Sequence, residues 1–197
     1  MTLAALAITL LLTLSVSKAA YYLPGVTPNT FQEGETIVLK ANKVISTKTP
    51  LQYDYYDLPF CKRRKTHSKA QNIGERLTGD TVTNSPYLLS MKKDETCVIL
   101  CQKIHQKSDI EMFKTMIDQE YRVHWLLDNI PVAVRNEELG YVSRGYPVGF
   151  MATTPKNKNP QHYLFNHVRI IVRYNENPES FEGVRIVGFE VVPFSIK

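Results

Sequence analysis

Polar and apolar residues alternate along residues 35–46, with Ile37, Leu39 and Ala41 on one side and Lys40, Asn42 and Lys43 on the other; Val44 is a fourth candidate for the apolar side. That period of two predicts a half-buried strand. Residues 121–127 repeat it, setting Tyr121, Val123, Trp125 and Leu127 against Arg122, His124 and Leu126, and they run into an Asp128-Asn129 turn. "HVRIIVRYNE" and "VRIVGFEVVPFSI" are rich in β-branched and aromatic residues and predict the two strongest strands. Shorter strands are predicted at 87–91, after an Asn84-Ser85-Pro86 turn, and in "GYPVGFMA". "ETCVILCQKIHQ", residues 95–106, reads as a buried strand around Val98, Ile99, Leu100 and Ile104, and residues 153–161 read as a loop.

One segment changes period. In "KSDIEMFKTMIDQEY", Ile110, Phe113, Met116 and Ile117 recur at helical spacing, and Ser108 with Glu111 three residues on has the form of a capping box. The sum is seven or eight strands and one short helix near 108–120. Strands come in runs and do not alternate with helices, so the expected fold is mainly β: a β-sandwich of jelly-roll or Greek-key type.

The N-terminus departs from this pattern. Residues 3–16 are apolar apart from Thr and Ser and carry no charge. The stretch falls short of the roughly 20 residues that a membrane span needs. Ser17 and Ala19 lie three and one before a cut between Ala19 and Ala20, the spacing of a signal-peptide cleavage site. The expected organisation is a signal peptide over 1–19 and a lumenal β-rich domain over 20–197. Cleavage would remove a single charged side chain, Lys18, from a chain of net charge +5. So mild a surplus does not call for nucleic acid. The apolar end "FEVVPFSIK" suggests the front part of a longer protein.

An exported chain meets oxidising conditions, so Cys61, Cys97 and Cys101 predict at least one disulfide with one thiol left over. If residues 97–101 are a strand, the two cysteines there stand about 13 Å apart at ~3.3 Å per residue. That is too far for a bond, and Cys61 would reach one of them. If the segment turns, they could be neighbours. A catalytic thiol would need a base, for which His67 is the nearest candidate, but the compartment favours a structural bridge.

Other chemistry is thin. The histidines 67, 105, 124, 162 and 167 form no zinc-binding helix motif, so neither metal nor cofactor is expected. Asp54 with Asp57, Asp94 with Glu95, and Glu137 with Glu138 are close in sequence, which suits solvated turns better than a catalytic cleft. Tyr53 and Tyr55 could stack on sugars, so a secreted carbohydrate-binding or carbohydrate-active sandwich is the alternative reading. The basic run Lys62, Arg63, Arg64 and Lys65 opens an exposed loop and is a candidate interaction surface. No Asn-x-Ser/Thr acceptor for N-glycosylation occurs.

A set of local strings, in order, carries more. "YYLPGVTPNTFQEGE", "ANKVISTKT", "LQYDYYDLPFC", "NIGERLTGD", "NSPY", "ETCVILC", "YRVHWLLDNIPV", "GYPVGF", "FNHVRIIVRY" and "RIVGFEVVPFSIK" resemble the lumenal N-terminal region of the nonaspanins, the transmembrane-nine superfamily. The resemblance covers nearly all of 21–197. It implies a non-enzymatic lumenal domain of a Golgi and endosomal multi-pass membrane protein, with nine membrane helices following it. It implies a role in membrane-protein sorting, with cargo engaged through the parent's membrane domain. Those helices, which would be this domain's own partner, are absent from the chain, and no lumenal partner is implied. On this reading the aromatic stretch is a strand ending at Pro59, with Cys61 fixed by Cys97 or Cys101.

Overall fold

The alternating segment forms β1 (Thr36–Ile45), the central strand of a seven-stranded sheet. The structure is a computed structural model that describes residues 28–62, 68–69, 82–136, 140–154, 157–179 and 181–196. Ile37, Leu39, Ala41 and Val44 are all buried. A strict period of two would turn Val44 outward. The register against β5 (Arg122–Leu127) shifts between Ala41 and Val44, and the extra residue brings Val44 back to the core side. On β5, Val123, Trp125 and Leu127 are fully enclosed, as the alternation predicts. Asp128 and Asn129 both take positive φ, the geometry of a tight hairpin turn, and lead to β6 (Ile130–Pro131).

On the other side of β1 lies β4 (Val82–Ser90), where the sequence suggested a turn at Asn84-Ser85-Pro86. The strand runs through that triplet because the register shifts between Val38 and Lys40, so Pro86 need not supply a ladder N–H. Buried Ser85 donates its hydroxyl to the Leu39 carbonyl at 2.6 Å, satisfying an acceptor at the irregularity. Three short strands complete the sheet. β2 (Tyr53–Asp54) pairs with β1, β3 (Ser68–Lys69) with β4, and β9 (Tyr146–Pro147) with β5.

The second sheet has the order β12 (His167–Glu176), β13 (Val184–Phe194), β7 (Ala133–Asn136), β8 (Tyr141–Arg144). Val184, Ile186, Phe189 and Val191 of β13 join the same core as the first sheet's inner face. The molecule is thus mainly β and sandwich-like. Arg122 on β5 ties the sheets at one corner by donating to Ser143 Oγ (2.8 Å) and to the carbonyls of Arg144 (3.2 Å) and Gly145 (2.7 Å). At the N-terminal side, Phe31 and Val184 exchange both backbone hydrogen bonds at 2.8 and 2.9 Å.

A two-stranded ribbon, β10 (Gly149–Thr154) with β11 (Asn157–Leu164), occupies most of the stretch read as a loop at 153–161. Pro160 is compatible with it because a two-stranded ribbon leaves alternate N–H groups unpaired. Against this ribbon packs α1 (Lys107–Asp118), burying Phe113, Met116 and Ile117. The helix starts one residue ahead of the suggested cap. Gln106 is the N-cap, its side chain makes no capping bond, and Glu111 pairs instead with Lys114 at 3.0 Å.

The largest departure is at 95–106. No strand forms there, and residues 92–104 are exposed throughout. Both inner sheet faces are already filled by other strands, and Cys97 sits at φ 55°, outside extended geometry. Among the described residues no helix is long and apolar enough to cross a membrane.

Candidate functional site

The aromatic stretch at 51–61 folds inward. After the two residues of β2 it turns into a short 3-10 helix, Tyr55–Asp57, rather than continuing as a strand to Pro59. Asp57 causes the turn: its carboxylate accepts the Asp54 N–H at 2.9 Å, so the Asp54/Asp57 pair is a structural cap. The turn drives Tyr55 into the core, 4% exposed, stacked on Phe60 with ring centroids 4.7 Å apart. Phe60 meets Phe113 of α1 at 5.5 Å. On the inner side Trp125 gathers Tyr55, Tyr87 and Tyr146, the last two at 4.7 Å. Its indole N–H is buried without an acceptor among the described residues. Tyr53 packs edge-on to Tyr121 at 5.5 Å. Tyr55 is buried and Tyr53 is half-buried against the core, so the two do not form the exposed pair imagined for a carbohydrate-binding sandwich.

Burial pushes the Tyr55 and Tyr146 phenols well above their ordinary range and lifts Tyr87 to about 12, with nearby phenols adding to it. These hydroxyls stay protonated at any physiological pH and do not serve as bases.

Cys61, just beyond the aromatic turn, is bonded to Cys101, with Cα atoms 6.0 Å apart and a sequence separation of 40. Cys97 is free and exposed. The bridge fastens the exposed segment 92–104 to the turn. Between turn, bridge and the start of α1 lies an open cleft of about 350 Å³ lined by Tyr56, Phe60, Lys62, Lys103, Asp109 and Met112, among others. Its carboxylates are engaged: Asp57 caps the turn and Asp109 faces His105 Nδ1 at 3.4 Å. Among the described residues its ammonium groups are not paired with acids. Lys103 Nζ donates to the Pro59 carbonyl at 3.1 Å, and Lys62 Nζ lies 5.4 Å from the centre of the Tyr56 ring.

In the segment that the bridge fastens, Val98, Ile99 and Ile104 are 61, 76 and 95% exposed, and Leu100 is exposed as well. Sequence reasoning missed this patch by reading any apolar run as core. The signal available was its flanks: Lys92, Lys93, Asp94 and Glu95 precede it and Lys103 and Lys107 follow, with no alternation between.

The other candidate residues are dispersed. Arg63, Arg64 and Lys65 lie outside the described residues, as do His67, Glu137, Glu138 and the Ala19/Ala20 cleavage site. His162 Nε2 is 2.7 Å from Asp118, and His167 packs on Phe194. His124 is held below its usual pKa by burial first and by Arg122 and Arg144 second. Among the described residues no three His, Cys, Asp or Glu side chains cluster as a metal site would require.

Residues 52–197 match the family Endomembrane protein 70. The chain belongs to the transmembrane 9, or nonaspanin, superfamily. It is 37% identical over 193 residues to Transmembrane 9 superfamily member 10 of Arabidopsis thaliana, covering 95% of this chain and 30% of that protein. It is 34% identical over 209 residues to Transmembrane 9 superfamily member 4 of Homo sapiens, covering 95% and 32%. The chain thus spans about a third of the length of these nonaspanins, and it corresponds to the family's N-terminal domain. No solved structure matches it.

Proposed function

We propose that this domain is the non-enzymatic lumenal module of a Golgi and endosomal membrane protein that sorts other membrane proteins. The observation that carries the reading is the near-complete match of the chain to nonaspanins. The site agrees with docking: its carboxylates, Asp57 and Asp109, are engaged by the Asp54 N–H and by His105, while an apolar loop and, among the described residues, lysines without a carboxylate partner face solvent. Cargo would be engaged by the membrane portion of such a protein, and the lumenal domain would orient or restrict that encounter. The test is to silence the gene and measure, by surface biotinylation, which membrane proteins change location, while the tagged intact protein is followed against Golgi and endosome markers. Redistribution of membrane cargo with lumenal, protease-protected tag signal is expected. A cytosolic tag, or unchanged cargo, overturns the reading.

A further inference from the structure

We propose that His124 and Arg122 of β5 form a pH-sensitive clasp on Gly145: when the imidazole gains a proton, the corner that joins the two sheets opens. The inference does not depend on the sorting role.

The strand register sets the contact. Arg122 pairs with Pro147 and Val123 with Tyr146, so the next step of the ladder brings Gly145 opposite His124. Gly145 takes φ 73°, and a Cβ built on it would lie 2.8 Å from His124 Nε2. The ring thus fills the space that a missing side chain leaves. This glycine is also where the chain crosses between sheets, from β8 in one to β9 in the other. Two hydrogen bonds hold it there. Its carbonyl accepts from Arg122 at 2.7 Å, and its N–H donates to the Val132 carbonyl at 3.2 Å.

A neutral imidazole suits this corner and a charged one does not. His124 is half-buried and, among the described residues, makes no hydrogen bond or ion pair. Burial first, and the guanidinium groups of Arg122 and Arg144 after it, resist a proton there. From β1, the register shift presents neutral Asn42 and Lys43, and Lys43 is bound to Asp54 of β2 at 3.1 Å. The groups acting on Arg122 are Tyr141 and Glu120, and Glu120 is bound to Lys48 at 2.8 Å. β6 pairs with β5 only through Leu126 and Leu127 and brings no charge. A proton on His124 therefore adds a third positive charge to a corner in which no described carboxylate lies within ion-pair distance of the ring. Lifting residues 144–147 off β5 lets water reach the imidazolium and separates it from Arg144. It also draws Tyr146, 5% exposed, away from Trp125, on which its ring packs at 4.7 Å.

The test is amide hydrogen exchange by NMR on the whole chain, with its Cys61–Cys101 bridge intact, at pH about 7 and about 5.5, corrected for the intrinsic rate. The Gly145 and Val148 amides, bonded to the Val132 and Tyr121 carbonyls, report the corner, and the amides of β13 report global unfolding. In wild type the corner amides should exchange ahead of those of β13 and with little dependence on low urea. The open form takes up the proton first, so their protection should fall by up to about tenfold per pH unit below about 6.5. His124→Gln should abolish that pH dependence. Arg144→Gln, at an exposed position, should weaken it by removing one of the opposing charges, and it carries the comparison alone if His124→Gln does not fold. Trp125 fluorescence at neutral pH should certify that each variant is folded. Corner amides that exchange only together with β13, protection unchanged by pH, or an undiminished pH dependence in the variants would each overturn the proposal.

Discussion

Removing the Cys61–Cys101 bridge should destabilise the domain by about 4 kcal/mol. The perturbation is Cys61→Ser with Cys101→Ser, compared with Cys97→Ser alone, and Cys97 is replaced in both so that it cannot form a substitute bridge. The sequence separation of 40 sets the size of the closed loop. Freeing a loop of that length returns about 13 cal/mol/K of chain entropy to the unfolded state, which is about 4 kcal/mol at 25 °C. The native side of the balance changes little. The bridge lies at the surface, and the aromatic contacts from Tyr55 through Phe60 to Phe113 do not pass through sulfur. Trp125, the chain's single tryptophan, is fully buried and reports global unfolding by fluorescence. With a urea m-value of about 2 kcal/mol/M, the midpoint should fall by about 2 M, with a slope somewhat steeper than the reference because the freed unfolded chain exposes more surface. The exposed Cys97→Ser reference should lie within about 0.5 kcal/mol of wild type. A loss below about 1 kcal/mol would refute the argument that the bridge acts by restraining the unfolded chain.

Three further outcomes follow from packing and charge. At Gly149 an added Cβ would strike the Tyr163 carbonyl and come within 2.7 Å of Ile117 Cδ1, so Gly149→Ala should cost about 1–3 kcal/mol by prising the β10–β11 ribbon from α1; an unchanged melting temperature would contradict it. Ser85→Ala removes the donor to the Leu39 carbonyl and should cost about 1–2 kcal/mol in urea titration, whereas Ser90→Ala, at the exposed bond to Glu95, should be close to neutral. His124 has a depressed pKa, so the unfolded chain takes up its proton first as pH falls. Its contribution is therefore full above the unfolded value of about 6.5, declines as pH drops below that, and levels off beneath the folded value. Urea midpoints between neutral and mildly acidic pH should fall less steeply for His124→Gln than for wild type.

Legibility varied with the kind of signal. β1, β5, β12 and β13 could be read because each keeps one face apolar, and the strands at 167–176 and 184–194 start where the sequence pattern begins. The stretch 95–106 could not, because composition alone does not distinguish an apolar run that fills a core from one that the core has no room for. Pro86 and Pro160 argued for turns, yet a register shift in one case and a two-stranded ribbon in the other remove the need for their missing N–H groups. At the site, three cysteines suggested a bridge, but its partner depended on where residues 97–101 run, which only the fold determines. The inward turn of Tyr55 was hidden in Asp57, whose carboxylate ends the strand by capping Asp54.

The place of β13 between β12 and β7 carries a consequence for biosynthesis. It is the last of these strands to emerge from the ribosome, yet it occupies an interior position and also receives Phe31 from the opposite end of the chain. Until it arrives, β12 and β7 have no shared neighbour, and Val168, Ile170 and Val172 lack the layer that later covers them. Closure of the domain is therefore a late event in synthesis, and nascent chains stalled before Val184 should be the forms that chaperones hold.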